Sequence, residues 1–283
     1  MKRHDVSGGQ NREDLSTWIS AIWQSVLRFV APVSLIGALI LLWQIIVVVF
    51  GMDDYILPSP WQVLQAGFEA RGLLWEHMVQ TALETLLGFG LALTVGLGLG
   101  VLIAVSPGLH DALYPVLVIS QTIPTVAIAP LLAIWFGYGI WPKIIVVGLV
   151  CFFPIAVNTA DGLLSADPEL VALLRTMGAD KRQIFRAVSL PGAMPMVFSG
   201  IKIAITYSVV GAILGEWVGA SRGLGIFMLR ASNSFRTDWV FASIGITALL
   251  SIVLFVVVHV LERVSLPWYY TQTRREQWEE LDS

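Results

Sequence analysis

The chain has 283 residues, of which 56% are hydrophobic and only 13% are charged, and its mean hydropathy is +0.77. Because soluble domains carry about 25% charged residues, the composition excludes an ordinary soluble domain and predicts an integral membrane protein. The formal net charge of −3 excludes no class of membrane protein, since the orientation of a membrane protein depends on the charge of its individual loops. A single cysteine excludes an intrachain disulfide.

Residues 1–28 form a charged N-terminal segment. Between residues 11 and 28 its apolar side chains recur at helical spacing, which predicts an amphipathic helix lying in the membrane interface. The first long apolar run begins near Phe29, too late for a signal peptide, and no small-residue cleavage site follows it. We therefore expect this run to be a retained membrane span.

Six apolar stretches meet or approach the roughly 20 residues that a helix needs to cross the hydrocarbon. They cover residues 29–50, 83–105, 113–136, 144–160, 199–216 and 239–259. The third contains Pro115, Pro124 and Pro130, which predicts a kinked or broken helix. The expected fold is an all-α bundle of six transmembrane helices over residues 29–263, with a tail over residues 264–283.

Small residues recur at every fourth position in the second and fifth spans. The second span has Gly88, Ala92, Gly96, Gly100 and Ala104, and the fifth has Gly200, Ala204, Ser208 and Ala212. Such ridges let two helices approach closely. They predict a tightly packed bundle.

The distribution of Lys and Arg predicts the orientation in the membrane. With the N-terminus in the cytoplasm, eleven of the 17 basic residues fall in cytoplasmic segments, and Lys202 lies within the fifth span. The five expected on the outer side are Arg71, Lys143, Arg222, Arg230 and Arg236. This bias predicts that both termini, and the polar loop between the fourth and fifth spans, face the cytoplasm.

That polar loop, over residues 165–191, has the pattern of two short helices. Asp167 followed by Pro168 predicts a capped helix start. Gly178 is a natural residue after a helix end, and Asp180 is expected to cap a second helix that Leu190 and Pro191 would end. From these residues alone two interpretations stay open: a helix pair resting on lipid headgroups, or an element that docks into a groove on a cytoplasmic partner.

The sequence lacks the motifs of the commonest catalytic sites. It contains no G-x-x-x-x-G-K followed by Ser or Thr, so it offers no such loop to cradle the phosphates of ATP. The four histidines are scattered and form no H-E-x-x-H motif or metal cluster. We therefore expect a protein that is not an enzyme, whose energy comes from another polypeptide or from an ion gradient.

Polar residues within the apolar spans are the candidates for a solute path. In the third span, Gln121 and Thr125 are expected one turn apart, where they either offer hydrogen bonds to a polar solute or satisfy their own kinked backbone. Lys202 and Glu216 are 14 residues apart and share a helix face, about 21 Å from each other. The full candidate set is Gln121, Thr122, Pro124, Thr125, Lys202 and Glu216.

The two ionisable candidates each have a second interpretation. Lys202 lies close to the inner end of its span and is expected to snorkel to the cytoplasmic headgroups. Glu216 lies at the outer end, where a partner in the outer loop, Arg222 or Arg230, is as well supported as contact with a solute.

The polar loop resembles the cytoplasmic "EAA" loop of ABC importer permeases, which seats on the ATPase subunit. The resemblance is carried by the spacing of Gly178, Val188, Leu190 and Pro191. Ala172, Leu173 and Leu174 stand where that family has Glu-Ala-Ala, so the glutamate of the consensus is absent while the apolar face remains. The residues it assigns to docking are Ala172, Leu173, Leu174, Arg175, Met177, Gly178, Ala179, Asp180, Ile184, Phe185, Leu190 and Pro191.

Other segments resemble the nitrate, sulfonate and taurine branch of these type I permeases. They are "ILPSPWQV", "QTIPTVAIAPLLAIWFGYG", "FFPIAVNTADGL" and "GEWVGASRGLG". Within that branch, "LLRTMGA", "GEWVGASRGLGIFMLRA" and the terminal "LPW" are most similar to permeases assigned to pyrimidine precursors of thiamine. Sulfonate, taurine or nitrate is the alternative solute.

The resemblance implies a bacterial inner-membrane assembly. A homodimer of permeases would lie in the lipid, with two cytoplasmic ATPase subunits that bind ATP and Mg and a substrate-binding protein outside. This chain would bind no cofactor, metal or nucleic acid. The alternative class, an ion-driven secondary transporter, needs a buried carboxylate or an unwound helix as an ion site, and the carboxylates near the spans, Glu84 and Glu216, are both expected at helix ends. A purely structural scaffold would not need the prolines of the third span.

Overall fold

The computed structural model describes residues 30–269. The amphipathic helix expected within residues 1–28 lies outside this part, as does most of the predicted tail. Within the described residues every regular element is a helix. The chain divides into two compact units, one ending at Gln65 and the other beginning at Ala66.

In its described part, from residue 30 onwards, the first unit contains one long helix, α1, over Val30–Phe50. It is apolar all round, and its 21 residues are long enough to cross a bilayer, which confirms the first predicted span. The short helix α2, Pro60–Glu69, begins after Ser59 and crosses the division between the units. Ser59 and Gln62 cap its start, each accepting a hydrogen bond from the other's backbone N–H.

The second unit contains the remaining helices. They are α3 (Arg71–Val105), α4 (Pro107–Ser120), α5 (Thr125–Phe136), α6 (Trp141–Leu164), α7 (Pro168–Thr176), α8 (Lys181–Ile184), a π-helical turn (Phe185–Ser189), α9 (Leu190–Trp217), α10 (Leu224–Asn233) and α11 (Thr237–Ser265). In the described chain five helices can span a membrane, or six if α4 and α5 form one bent span. The prediction of six spans is confirmed in this form.

Helix α6 packs against both α3 and α9, and the ridge of α3 runs along it. Three pairs of residues face each other at a constant separation of 59 positions: Gly88 with Val147, Gly96 with Ile155 and Gly100 with Thr159. A Cβ atom added at Gly96 would lie 2.8 Å from the Cβ atom of Ile155, so no larger residue fits without a shift. The constant separation shows that α3 and α6 run parallel.

The ridge of α9 also packs against α6. All four of its small residues are buried, and Cys151 on α6 donates a hydrogen bond to the carbonyl of Ala204 at 3.2 Å. Near one end of α9, Gly200 packs against the carbonyl of Pro154, and near the other end Gly215 packs against Lys143. Helices α6 and α9 are therefore antiparallel, and the close packing predicted from both ridges is confirmed.

The third predicted span is broken. Helices α4 and α5 meet at an angle of 94°, and four residues, 121–124, separate them. Pro124 has an extended backbone and no N–H to donate. Its ring also disfavours a helical conformation at Ile123. The chain therefore cannot continue α4 through this point, as the prolines predicted.

The bundle has two ends, which we name by the segments that lie there. The loop end is where α6 ends, where α7 and α8 lie, and where α9 begins. The α10 end is where α3, α6 and α11 begin and where α9 ends, next to α10. The candidate docking residues lie at the loop end, whereas Glu216 lies at the α10 end.

Candidate functional site

The two-helix loop has the caps that the sequence predicts. The Asp167 carboxylate accepts hydrogen bonds from the backbone N–H groups of Glu169, at 2.8 Å, and Leu170. Gly178 follows α7 with φ at +83°, a conformation that favours glycine. Asp180 caps α8 in a reciprocal box with Gln183, whose side chain accepts from the Asp180 N–H at 2.8 Å.

Helix α7 presents an unusual apolar surface. Leu170, Leu173 and Met177 lie along one face and are 48%, 55% and 74% exposed. The four basic side chains of the loop are exposed around them: Arg175, Lys181, Arg182 and Arg186. A contiguous exposed apolar face with a charged surround is typical of a protein or membrane contact.

The base of the loop is anchored to the bundle. Ile184 is buried, and Phe185 packs against a cluster formed by Leu163, Ala193 and Val197. Ile184 and Phe185 therefore pack against their own chain. Among the residues predicted for docking, those of α7 offer the free apolar surface.

The predicted end of the second loop helix at Leu190 and Pro191 is wrong. Helix α8 passes through the π-helical turn directly into α9, and residues Lys181–Glu216 form one continuous helix. In the wider turn the N–H of Leu190 donates to the carbonyl of Phe185, five residues earlier. Pro191 then occupies the first turn of α9, where its missing N–H and its ring are tolerated.

The third-span candidates lie at the break between α4 and α5. Gln121 ends α4 and Thr125 begins α5, so the expectation that they lie one turn apart on one helix is wrong. Thr122 donates to the carbonyl of Ile119 at 2.8 Å and so satisfies the end of α4, as the alternative interpretation held. Gln121 and Pro124 are exposed.

Lys202 does not snorkel towards headgroups. Its Nζ atom lies 2.9 Å from both carboxylate oxygens of Glu262 on α11, and Glu262 is only 3% exposed. His259, one turn earlier on α11, lies 3.4 Å from the same carboxylate. Lys202 thus joins α9 to α11 through Glu262, and the interpretation that its side chain snorkels to the headgroups is wrong.

Glu216 has neither of its expected arginine partners. Its carboxylate is fully buried and accepts a hydrogen bond from the hydroxyl of Thr81 on α3 at 2.6 Å. It also accepts one from the N–H of Gly225 on α10. Arg222 instead pairs with Glu76 at 3.0 Å on the exposed surface.

The start of α10 is capped by side chains from other helices. The N–H of Gly223 donates to Nδ1 of His77 at 2.9 Å, and the N–H of Leu224 donates to Oγ1 of Thr81 at 2.8 Å. Glu216 accepts from the third N–H, that of Gly225. Helices are usually capped by a residue adjacent in sequence. We name the set of His77, Thr81 and Glu216 the α10 clasp.

A buried ion pair lies beside the clasp. Nζ of Lys143 on α6 lies 2.8 Å from Oε1 of Glu84 on α3, and Gln80 donates to the same oxygen at 2.7 Å. Glu84 is completely buried near the middle of α3, so the expectation that it lies at a helix end is wrong. Lys143, predicted in an outer loop, is buried as well.

Known proteins with this architecture identify the family of the chain. Residues 96–268 match the model of the family described as the binding-protein-dependent transport system inner membrane component. The chain belongs to this family. It is a permease subunit of a transport system.

Two relatives are similar to this permease over most of its length. The formylaminopyrimidine transport permease protein ThiX of Halalkalibacterium halodurans is 40% identical over 231 residues, which cover 81% of this chain and 92% of the relative. The riboflavin transport system permease protein RibX of Chloroflexus aurantiacus is 38% identical over 244 residues, covering 84% and 89%.

More distant proteins share the fold. The taurine transport system permease protein TauC of Escherichia coli is 26% identical over 254 residues, covering 87% of this permease and 92% of the relative. A chain of the MetNI methionine ABC transporter, solved in an inward-facing conformation, superposes with a TM-score of 0.61 at 23% sequence identity. The superposition covers 69% of this permease and 97% of that chain. The predicted type I permease fold is confirmed.

The buried polar residues of the permease carry a signal that the sequence-based prediction missed. Glu84 lies four positions before Gly88, and Lys143 lies four positions before Val147. The register that pairs Gly88 with Val147 therefore also pairs the two charges. Extending the small-residue ridge one turn towards the start of α3 would have placed Glu84 on the packed face, whereas its partner Lys143 follows only from the register in the structure.

Proposed function

We propose that this permease carries a pyrimidine precursor of thiamine across the bacterial inner membrane as one subunit of an ABC importer. The observation that supports the solute is 40% identity, over 81% of the chain, to a formylaminopyrimidine permease. Riboflavin is a second candidate, because the riboflavin permease relative is 38% identical over a similar length. Sulfonate and taurine permeases are more distant, with taurine at 26%.

Energy would come from a separate ATPase subunit seated on the loop end of the bundle. The exposed apolar face of α7, formed by Leu170, Leu173 and Met177, is the surface that fits such a partner. In this assignment the loop end faces the cytoplasm, as the positive-inside bias predicts, and the partner binds ATP and Mg. The termini would then also lie in the cytoplasm.

The continuous helix from α8 to α9 suggests how the partner's movement would reach the membrane. Lys181–Glu216 is 36 residues long, so it extends about 54 Å. Displacing its α8 end tilts or shifts α9 as a rod. Reversing the populations of two states from 1:99 to 99:1 requires about 5.5 kcal/mol of differential binding, which the docked ATPase would supply on binding ATP.

The solute path would run beside the break between α4 and α5. Non-helical backbone within a span is tolerated only where protein or a water-filled cavity surrounds it. The four residues 121–124 provide such backbone, with Gln121 exposed next to it. We assign this break to the path wall, facing a second copy of the permease, and the α10 end to the extracytoplasmic binding protein.

Transport in a defined system tests this function. The permease is reconstituted in liposomes with its cognate ATPase and binding protein, and uptake of labelled formylaminopyrimidine is measured with riboflavin and taurine as competitors. We expect uptake only with ATP and the ATPase, blocked by unlabelled formylaminopyrimidine alone. Uptake of labelled riboflavin, without uptake of labelled formylaminopyrimidine, would select the second candidate. Uptake that persists without the ATPase, driven by an ion gradient, would contradict the importer.

A further inference from the structure

The α10 clasp connects three helices at one point. His77 and Thr81 belong to α3, Glu216 is the last buried residue of α9, and together they accept from the first three free N–H groups at the start of α10. A carboxylate at this position also faces the positive end of the α10 dipole. All three side chains are buried.

Helix α10 has no capping side chain from the residue next to it in sequence. The residue before α10 is Gly223, which has no side chain, and its φ is +132°. A Cβ atom there would overlap the carboxylate of Glu216. The space that a capping serine or aspartate would need is therefore filled by a side chain from α9. A helix that needed only stability would be capped by its own neighbour at no cost in packing.

At the level of the clasp, α6 contacts both α9 and α3. A Cβ atom added at Gly215, next to Glu216, would lie 3.1 Å from the Cα atom of Lys143 on α6, so the two helices approach closely here. Lys143 in turn pairs with Glu84 on α3. At the α10 end, α6 therefore packs closely against α9 and is joined to α3 by a buried ion pair beside the clasp.

The other end of α9 continues through the π-helical turn into α8, in the loop that carries the docking face of α7. Because Lys181–Glu216 is one continuous helix, Glu216, which holds α10, and α8 belong to the same helix. We propose that the α10 clasp makes α10 move as one body with α3 and α9, so that displacement of α8 at the cytoplasmic face is delivered to the binding-protein face. His77, Thr81 and Glu216 are positioning residues in this inference, which rests on the proposed function.

A spin-label pair tests the rigid connection. In a Cys151→Ala background, labels are placed at Ser232 on α10 and Val79 on α3, both exposed. The distance is measured by pulsed electron resonance in the assembled transporter, without nucleotide and with ATP trapped. We expect one narrow distribution that is the same in both states. A shift of the wild-type distance between the states would overturn the proposal.

A matched pair of threonine variants tests the clasp itself. Thr81→Val keeps the shape but removes the hydroxyl that bonds to α10 and Glu216, while Thr81→Ser retains it. Thr94→Val is the control, because the Thr94 hydroxyl bonds only to carbonyls of its own helix. We expect Thr81→Val to broaden the distance distribution and to reduce the stimulation of ATPase activity by loaded binding protein at least fivefold. Basal ATPase activity should stay within twofold.

The outcomes separate the clasp from the proposed function. Thr81→Ser and Thr94→Val should behave as wild type, and a wild-type response from Thr81→Val would refute the clasp. If Thr81→Val fails to insert, Glu216→Met replaces it, since the thioether side chain has a similar length but no carboxylate oxygen to accept from the N–H of Gly225 or the hydroxyl of Thr81. If the wild-type permease never engages an ATPase, the proposed function fails, whereas the label distance in the permease alone still reports whether α10 is held.

Discussion

Lys202 and Glu262 join α9 to α11 through both carboxylate oxygens, each 2.9 Å from the lysine nitrogen. The two residues lie 60 positions apart in the sequence. Glu262 is almost completely buried, whereas the side chain of Lys202 is 24% exposed. The contact therefore fixes α11 to the helix that runs from the docking loop through α9.

Removing one partner of this pair should destabilise the permease. Lys202→Met leaves the buried Glu262 carboxylate without its cation, which costs about 3 kcal/mol. The double variant Lys202→Met, Glu262→Leu should recover most of that loss, since it leaves no buried charge. Unfolding in mild detergent, followed by tryptophan fluorescence, measures both. Equal stability of the single variant and the wild type would show that the pair is not formed.

Adding a methyl group to the α3 ridge should separate α3 from α6. Gly96→Ala places a Cβ atom 2.8 Å from Ile155 and 2.9 Å from the carbonyl of Phe152. Overpacking of this kind costs about 1–3 kcal/mol. Gly98→Ala is the matched control, because nothing lies within 4 Å of its added Cβ atom.

The control should be neutral or slightly stabilising, since alanine is favoured over glycine in a helix by up to about 1 kcal/mol. Chemical unfolding in bicelles measures the free energy of unfolding of both variants. If Gly96→Ala and Gly98→Ala changed it equally, helix propensity rather than ridge packing would explain the result.

Features that depend on neighbours in sequence were predictable. Asp167 and Asp180 cap helices through groups two or three residues away, so the sequence displays both partners together. The ridges were also visible, because a period of four places small residues on one helix face. The broken third span followed from the local chemistry of Pro124.

Features that depend on partners distant in sequence were not predictable. Glu216 bonds to a threonine 135 positions away, and only the packing of α3 beside α9 brings them together. Two nearby arginines in the outer loop were the more obvious partners by proximity alone. The continuation of α8 into α9 was missed for another reason: a Leu-Pro dipeptide predicts a helix end unless a wider turn accommodates the proline.

The buried pair of Glu84 and Lys143 should be more sensitive than the exposed pair of Arg222 and Glu76. Lys143→Met leaves a completely buried carboxylate uncompensated and should cost about 3–5 kcal/mol. Arg222→Ala breaks an ion pair whose side chains are 65% and 51% exposed, so it should cost less than about 1 kcal/mol. Thermal unfolding of the two variants in the same detergent compares them, and a larger effect of Arg222→Ala would contradict the buried assignment.

Bulk at the turn between the loop helices should prevent docking of the ATPase. Gly178 has φ at +83°, and nothing lies within 4 Å of the position of an added Cβ atom. Gly178→Ala therefore introduces only backbone strain, about 1–2 kcal/mol, while Gly178→Trp adds the same strain and a large side chain on the docking surface.

We expect Gly178→Trp to lose co-purification with a co-expressed ATPase subunit, and Gly178→Ala to retain most of it. Both should reach the membrane at wild-type levels, because the turn is exposed and lies outside the packed bundle. Affinity purification from solubilised membranes, with the ATPase quantified on gels, measures retention. Loss of the ATPase in both variants would attribute the effect to strain in the turn, and retention in both would place the docking surface elsewhere on the chain.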